Sequence, residues 1–165
     1  MKKIYILDSS AILSGKPLYL EGEIVIPESI EREVVKEDPK LLQIFLGRDV
    51  RYEKPSKKSL DEVNRVAEDL GEKERLSDVD KEIIALALDH REEGDVCIIT
   101  DDYSIQNVSS FLGLSYRGIS EKGISERFKW GYRCEGCKKF FKRPYSSCPV
   151  CGSKLKPVVR KRTRV

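Results

Sequence analysis

Histidine is nearly absent from this chain: His90 is the one histidine among 165 residues. A histidine-based metal site is therefore excluded. His90 itself falls at the end of a helical pattern and reads as a surface residue. No run of about 18 apolar residues occurs, which excludes a transmembrane helix. The N-terminus reads MKK and then a short strand pattern, too short for the core of a signal peptide. The expected location is the cytoplasm, with no membrane partner, where thiols stay reduced.

Charge is plentiful. Asp, Glu, Lys and Arg make up 36% of the chain, and the net charge is +3. That small sum hides an asymmetry. Residues 1–120 carry 17 basic and 25 acidic residues, a balance of −8, and residues 121–165 carry 14 and 3, a balance of +11. An acidic body with a basic C-terminal third suggests two modules with different tasks, the basic one suited to phosphate.

Four of the five cysteines lie in that basic third, as Cys134-Glu-Gly-Cys137 and Cys148-Pro-Val-Cys151. Two Cys-x-x-Cys knuckles have the ligand count and spacing of a tetrahedral zinc site. Four thiolates leave no open coordination position, so one structural Zn2+ per chain is expected. A module this small has little core of its own, and the metal supplies the missing stability. Gly136 and Gly152 fall where tight knuckle turns are expected to need positive φ. Cys97, in the apolar "DVCIIT", reads as inert core. The expected partition is a main domain over 1–120, a linker over 121–129, a zinc ribbon over 130–156 and a basic tail over 157–165.

The first 120 residues alternate between strand and helix patterns. Strands are expected over 3–7, 22–27, 49–55, 95–100 and 114–119. Helices are expected from Ser9 or Ser10 to Leu13 and over 28–38, 39–47, 58–71, 77–90 and 102–113. Such alternation implies an α/β fold with a parallel sheet flanked by helices.

In such sheets ligands bind at the carboxyl ends of the strands, beside the switch point. Asp8 ends the first strand. Thr100, Asp101 and Asp102 end "VCII". Asp78 and Asp80 head a helix, and Glu33 lies in the helix after the second strand. If the two apolar strands are neighbours, these acids converge. Carboxylates that close repel one another, and a hard divalent cation, Mg2+ or Mn2+, resolves the repulsion. Asp78 fits helix capping better than ligation. Asp80 fits the metal site, since capping by Ser77 or Asp78 leaves it free. Position alone does not separate Glu33 from a surface glutamate. Asp8 is the strongest candidate, because an unpartnered charge at a buried strand end is costly.

"ILDSSAIL", "VIPESIEREV", "LSDVDKEIIALAL" and "VCIITDDYSIQNV", in this order, resemble the PIN-domain nucleases over residues 3 to about 118. The resemblance implies a PIN-like parallel sheet and metal-coordinating Asp8, Glu33, Asp80 and Asp102, with Asp101 a further contributor. A PIN domain followed by a four-cysteine zinc ribbon and a basic tail is similar to the Nin-one-binding-protein family, which matures the 3′ end of small-subunit ribosomal RNA. That likeness implies a single-stranded substrate, precursor ribosomal RNA within a pre-ribosomal particle, with assembly proteins nearby. It implies metal-assisted phosphodiester hydrolysis leaving a 3′-hydroxyl and a 5′-phosphate. Lys138, Lys139, Lys142 and Arg143 interleave with Phe140, Phe141 and Tyr145, offering charges for phosphate and rings for base stacking. At least one of those rings is expected to pack around the knuckles instead. Two rivals stand beside this reading: a non-catalytic RNA-binding assembly factor, and a different PIN ribonuclease, such as a toxin. Toxin PIN domains usually end near residue 120 of this chain.

Overall fold

The structure is a computed structural model that describes residues 2–13, 20–37, 50–119 and 126–164. The helix expected over 39–47 and the first part of the expected linker lie outside the described residues. The body runs β1 (Lys3–Leu7), α1 (Ser9–Leu13), β2 (Glu23–Pro27), α2 (Glu28–Glu37), β3 (Val50–Glu53), α3 (Lys57–Leu70), α4 (Asp78–His90), β4 (Asp95–Ile99), α5 (Tyr103–Phe111) and β5 (Ser115–Arg117). The strands form one parallel sheet in the order β3-β2-β1-β4-β5.

The three central strands are apolar almost without a break, as strands covered on both faces must be. Ile4, Ile6 and Leu7 of β1, Ile24, Val25 and Ile26 of β2, and Ile98 and Ile99 of β4 are all but fully buried. Helix α4 buries six consecutive residues, Ile83 to Leu88, so it is apolar all round and sits within the core rather than on it. Its alanines, Ala85 and Ala87, keep the approach to its neighbours close. No helix among the described residues is long and apolar enough to cross a membrane.

The order of the strands decides where a site can form. The chain moves outward from β1 through β2 to β3, then returns to place β4 on the other side of β1. The switch point therefore lies between β1 and β4, whose last paired residues are Leu7 and Ile99. The residues that follow, Asp8 and Thr100, emerge side by side.

Helix ends are fixed by short polar side chains. Ser56 caps α3 by accepting from the Ser59 amide, and Gly71 ends the helix at φ 74. Asp89 of α4 ties that cap down, accepting from the Ser56 amide at 2.7 Å and from the Ser56 and Ser59 hydroxyls at 2.6 Å each. These bonds hold the Asp89 carboxyl below its usual range, although its partial burial works the other way.

Beyond the body, β6 (Glu126–Cys134), β7 (Phe140–Phe141) and β8 (Leu155–Arg164) form a separate antiparallel sheet, ordered β7-β6-β8. Pairing of β6 with β8 runs from Glu126–Arg164 to Cys134–Leu155, with an irregularity between Lys129 and Trp130. Strand pairing thus reaches into both the stretch read as linker and the stretch read as tail. The backbone ladder needs no apolar side chains, so a basic strand left no hydrophobic signal. Strand β6 lies against α3 and α5.

His90 differs from its expectation. It is 5% exposed, with Nδ1 2.8 Å from Glu93 and Nε2 2.6 Å from Glu53. Arg51 lies beside both carboxylates. Burial pulls the imidazole pKa down, and the bonds and charges of Glu93 and Glu53 outweigh it, so the pKa rises above 6.5. A histidine whose folded pKa is raised stabilises fully below its unfolded value, and that contribution is lost as pH climbs through the folded value. Between about pH 6 and about pH 9, urea midpoints should therefore fall more for the native chain than for His90→Gln. Parallel pH profiles for the two would show that the cluster carries no proton-linked stability.

Candidate active site and metal centre

Asp8 is 5% exposed at the end of β1, and three hydroxyls surround it. Thr100 Oγ1 donates to Oδ2 at 2.6 Å, Ser10 Oγ donates to Oδ2 at 2.9 Å, and Ser9 Oγ reaches Oδ1 at 3.3 Å. A carboxylate can be kept in so buried a place because donors replace the water it has lost. Its own backbone carries the chain onward: the Asp8 amide donates to Ile99, and its carbonyl accepts from Ala11 to begin α1.

Thr100 is fully buried and serves both strand ends. Its hydroxyl donates to Asp8 and accepts from the Asp102 amide at 3.0 Å. Gln106, also buried, holds the Thr100 carbonyl at 2.7 Å. Asp102 in turn caps α5, with Oδ1 accepting from the amides of Ser104 and Ile105. Helix α5 thus starts against the second acid of the cluster.

Asp80 is drawn in from α4. Ser77 caps that helix and shares a reciprocal box with Asp80: Ser77 Oγ accepts from the Asp80 amide at 3.1 Å, and Asp80 Oδ2 accepts from the Ser77 amide at 2.9 Å. Asp80 was expected to be free of capping, yet one of its oxygens is engaged there. Its pKa is raised, chiefly by burial; the Ser77 amide opposes the rise, and the negative charges of Asp102 and Asp8 add to it. Three acids from β1, β4 and α4 therefore share one electrostatic environment.

The other candidates stand apart. Asp101 is exposed, and its Oδ1 accepts from the Ile119 amide at 2.7 Å, toward the end of β5. Asp78 is exposed in the first turn of α4. Glu33 is exposed on α2, the helix that follows β2. The hydroxyls of Ser9, Ser10 and Thr100 went unremarked as partners in the sequence. Their signal was the need of a buried carboxylate for donors close by in "DSS" and "TDD".

Charge and donor type fit Asp8, Asp80 and Asp102 to a hard divalent cation. The excess negative charge that lifts the Asp80 pKa is what such a cation would relieve. Their oxygens are not drawn as close as the cysteine sulfurs: among the described residues, one set of three or more metal-capable side chains has all its ligand atoms within 4.8 Å, and it is Cys134, Cys137, Cys148 and Cys151.

In that set, the amides of Gly136 and Cys137 point at Cys134 Sγ, and the Val150 amide points at Cys148 Sγ. Such N–H···S bonds spread thiolate charge into the knuckle backbone. Neighbouring thiols are driven in opposite directions. Cys151 falls to about 6 through bonds from the side chain and amide of Ser153. Cys137 rises to about 11: the Lys139 amide favours its thiolate, but desolvation and the three other sulfurs outweigh it. Four thiolates cannot share this volume without a cation, and zinc answers both the geometry and the donor set. Of the two knuckle glycines, Gly152 has the expected positive φ, 79. Gly136 does not. A Cβ there would collide with Ser153 Oγ and come within 3.2 Å of Cys151 Sγ, so space is what excludes a side chain. The positive φ of the first knuckle falls on Lys138, at 67.

The basic and aromatic side chains of the ribbon divide. The Phe140 ring packs on Gly131, where a Cβ would strike it, so this ring belongs to the ribbon's small core. Phe141 meets Tyr145 edge-on at 5.3 Å, with Lys139 Nζ over its face at 5.7 Å. Tyr145 is 46% exposed. Lys138 folds back onto the Glu135 carbonyl. Arg143 reaches α3, 3.5 Å from Glu68, and lines a groove with Lys142 and Tyr132.

Residues 5–89 match the family described as the PIN domain of ribonuclease. Ribonuclease VapC1 of Thermoplasma acidophilum is 38% identical over 153 residues, covering 93% of this chain and 77% of that protein. Endoribonuclease Nob1 of Archaeoglobus fulgidus is 37% identical over 152 residues, 92% of this chain and 88% of its own. Endoribonuclease Nob1 of Pyrococcus abyssi is 36% identical over 164 residues, 98% and 97%. The VapC1 match is longer than the first 120 residues, so it enters the C-terminal third. Chain length alone does not divide the two names.

Two outcomes test these centres. Thr100→Val keeps the shape but leaves Asp8 short of its closest donor, and should cost about 1–3 kcal/mol in urea unfolding; an unchanged midpoint would show that water replaces the hydroxyl. Elemental analysis should find one zinc per chain. Cys148→Ser should lose that zinc while far-ultraviolet dichroism of the body persists, because the sheet has its own apolar core. Full zinc retention in Cys148→Ser would break the four-thiolate assignment.

Proposed function

The chain belongs to the PIN-domain ribonucleases, and from that premise we propose a metal-dependent endoribonuclease that cuts single-stranded RNA, its substrate the 3′ end of precursor small-subunit ribosomal RNA. One observation carries this reading: Asp8, Asp80 and Asp102 share a site at the switch point of a chain that also bears a basic four-cysteine ribbon. The relatives named endoribonuclease Nob1 support it over most of both chains.

In this proposal Asp8 is the anchoring ligand, oriented by Thr100, Ser10 and Ser9. Asp102 and Asp80 complete the acid set, each with one oxygen committed to a helix cap. Bound Mg2+ or Mn2+ supplies a lowered water pKa and charge stabilisation at the scissile phosphate. The carboxylates orient the attacking water, and the products carry a 3′-hydroxyl and a 5′-phosphate. Glu33, exposed on α2, is a further acid of the site, with Asp101 and Asp78 contributing to the local field. Residues 1–120 do the cutting. The ribbon holds the strand through Lys138, Lys139, Lys142 and Arg143, with Phe141 and Tyr145 as stacking rings and Phe140 as their support. Assembly proteins of the pre-ribosomal particle are the expected neighbours, in the cytoplasm. A different PIN-type ribonuclease is the second reading, favoured by the VapC1 match.

The test is cleavage of a labelled RNA spanning the small-subunit 3′ end, with and without Mn2+. Asp8→Asn should keep the fold and lose more activity than the roughly 100-fold that removing an outer-shell partner costs. Undiminished cleavage by Asp8→Asn with metal present would remove Asp8 from the active site. Equal cutting of unrelated single strands would favour the second reading.

A further inference from the structure

A second concavity, of about 190 Å³, opens at the carboxyl edge of the sheet and has no part in the reading so far. It is lined by Glu28, Ser29 and Arg32 of α2, Lys54 and Pro55 after β3, Leu60 of α3, and Glu82 of α4. Most of these elements meet it at the carboxyl edge of the sheet: α2 starts where β2 ends, and Lys54 follows the last residue of β3. With strands about 4.8 Å apart, β3 stands about 10 Å from β1 along that edge. A group held there cannot touch the phosphate being cut at Asp8, but it can touch a neighbour on the same strand.

The side chains of this concavity are unequally committed. Glu82 accepts from Ser29 Oγ at 2.6 Å, a bond that locks α2 to α4. Lys54 is 76% exposed and sits 3.8 Å from Glu28, a loose pair in high dielectric that contributes little. Arg32 is exposed, and among the described residues it lies in no ion pair. Lys57 and Lys58 follow in the first turn of α3. The rest of the body carries a large negative excess, so an RNA strand approaching the acids meets repulsion everywhere except along such cations.

Resting on the nuclease reading above, we propose that this concavity is a backbone subsite, in which Arg32 and Lys54 grip a phosphodiester flanking the scissile one. Arg32 offers the planar donor fork suited to phosphate. Lys54 exchanges its weak contact with Glu28 for the RNA phosphate. The subsite acts on substrate affinity and register, and it leaves the chemical step to the aspartates.

The test uses the full chain and one labelled single-stranded RNA. Arg32→Gln and Lys54→Gln should each raise KM about tenfold with kcat within twofold, the loss of one charge-assisted contact. Each should also shrink the salt slope of binding by about 0.7. Glu28→Gln should do the opposite and tighten binding, because it removes a negative charge that lines the concavity and would repel the phosphate; a merely damaged fold would not gain affinity. Arg65→Gln, which removes an exposed cation of α3 outside the concavity, should match the native chain. A scan with single uncharged methylphosphonate linkages should find one position that weakens native binding and has no further effect in Arg32→Gln. Native KM and slope in both Arg32→Gln and Lys54→Gln, or an equal loss in Arg65→Gln, would overturn the subsite. If the native chain cuts no RNA, the nuclease reading fails, and the binding slopes and the scan still decide whether this concavity holds a phosphodiester.

Discussion

The hydrogen bond from Thr100 to Asp8 joins the two strand ends on which the site depends. Parallel strands β1 and β4 stop together, and the first residue beyond each must be either hydrated or bonded to the other. A threonine hydroxyl solves this with one atom, giving its proton to the Asp8 carboxylate and accepting the Asp102 amide. Asp102 is then positioned to cap α5, and Gln106 from that helix returns to hold the Thr100 carbonyl. The loop is closed: strand end, helix start and acid position determine one another. A site built this way is preorganised without needing its cation, since the carboxylates are aimed by bonds that the fold already makes.

Helix α4 brings the third acid by a different device. Its capping box uses the side chain of Asp80, so the residue that satisfies the helix start is also the one that faces Asp8 and Asp102. A shared residue cannot give both oxygens to a metal and also keep the cap. The proton affinity of Asp80 is raised chiefly by burial, and the charges of Asp102 and Asp8 add to it.

Much of this was legible in the sequence, for identifiable reasons. Strands such as "KIYIL" and "VCIIT" carry unbroken apolar runs, and the helices carry stripes with serine or aspartate caps and glycine stops, so local pattern and final structure agree. Asp8 stood out because burial makes an acid informative, and Asp102 through the resemblance to the PIN-domain nucleases. What could not be read depends on pairing at a distance. His90 looked like a helix-end surface residue because nothing near it in sequence announces that Glu53 will arrive from β3. Gly136 looked like a turn glycine, yet its constraint is Ser153, seventeen positions on. The last basic stretch looked like a tail because a strand held by its backbone ladder to β6 needs no apolar alternation. Glu33 sits at the expected place in α2, with its side chain exposed.

The division of charge follows from the same constraint. A site that holds hard cations must be rich in carboxylates, and a body rich in carboxylates repels the polyanion it is to act on. Placing many lysines and arginines among those acids would neutralise the site itself through ion pairs. Concentrating 14 of the 31 lysines and arginines in the last 45 residues eases that conflict, but a small module crowded with like charges has little apolar surface with which to fold. The four sulfurs resolve this second difficulty. Cohesion comes from their convergence within 4.8 Å, leaving the ribbon's surface free to be basic. The sulfur cluster and the aspartate cluster are therefore linked in purpose although separate in space: a soft centre lets one module carry the positive excess that the acids of the other outweigh.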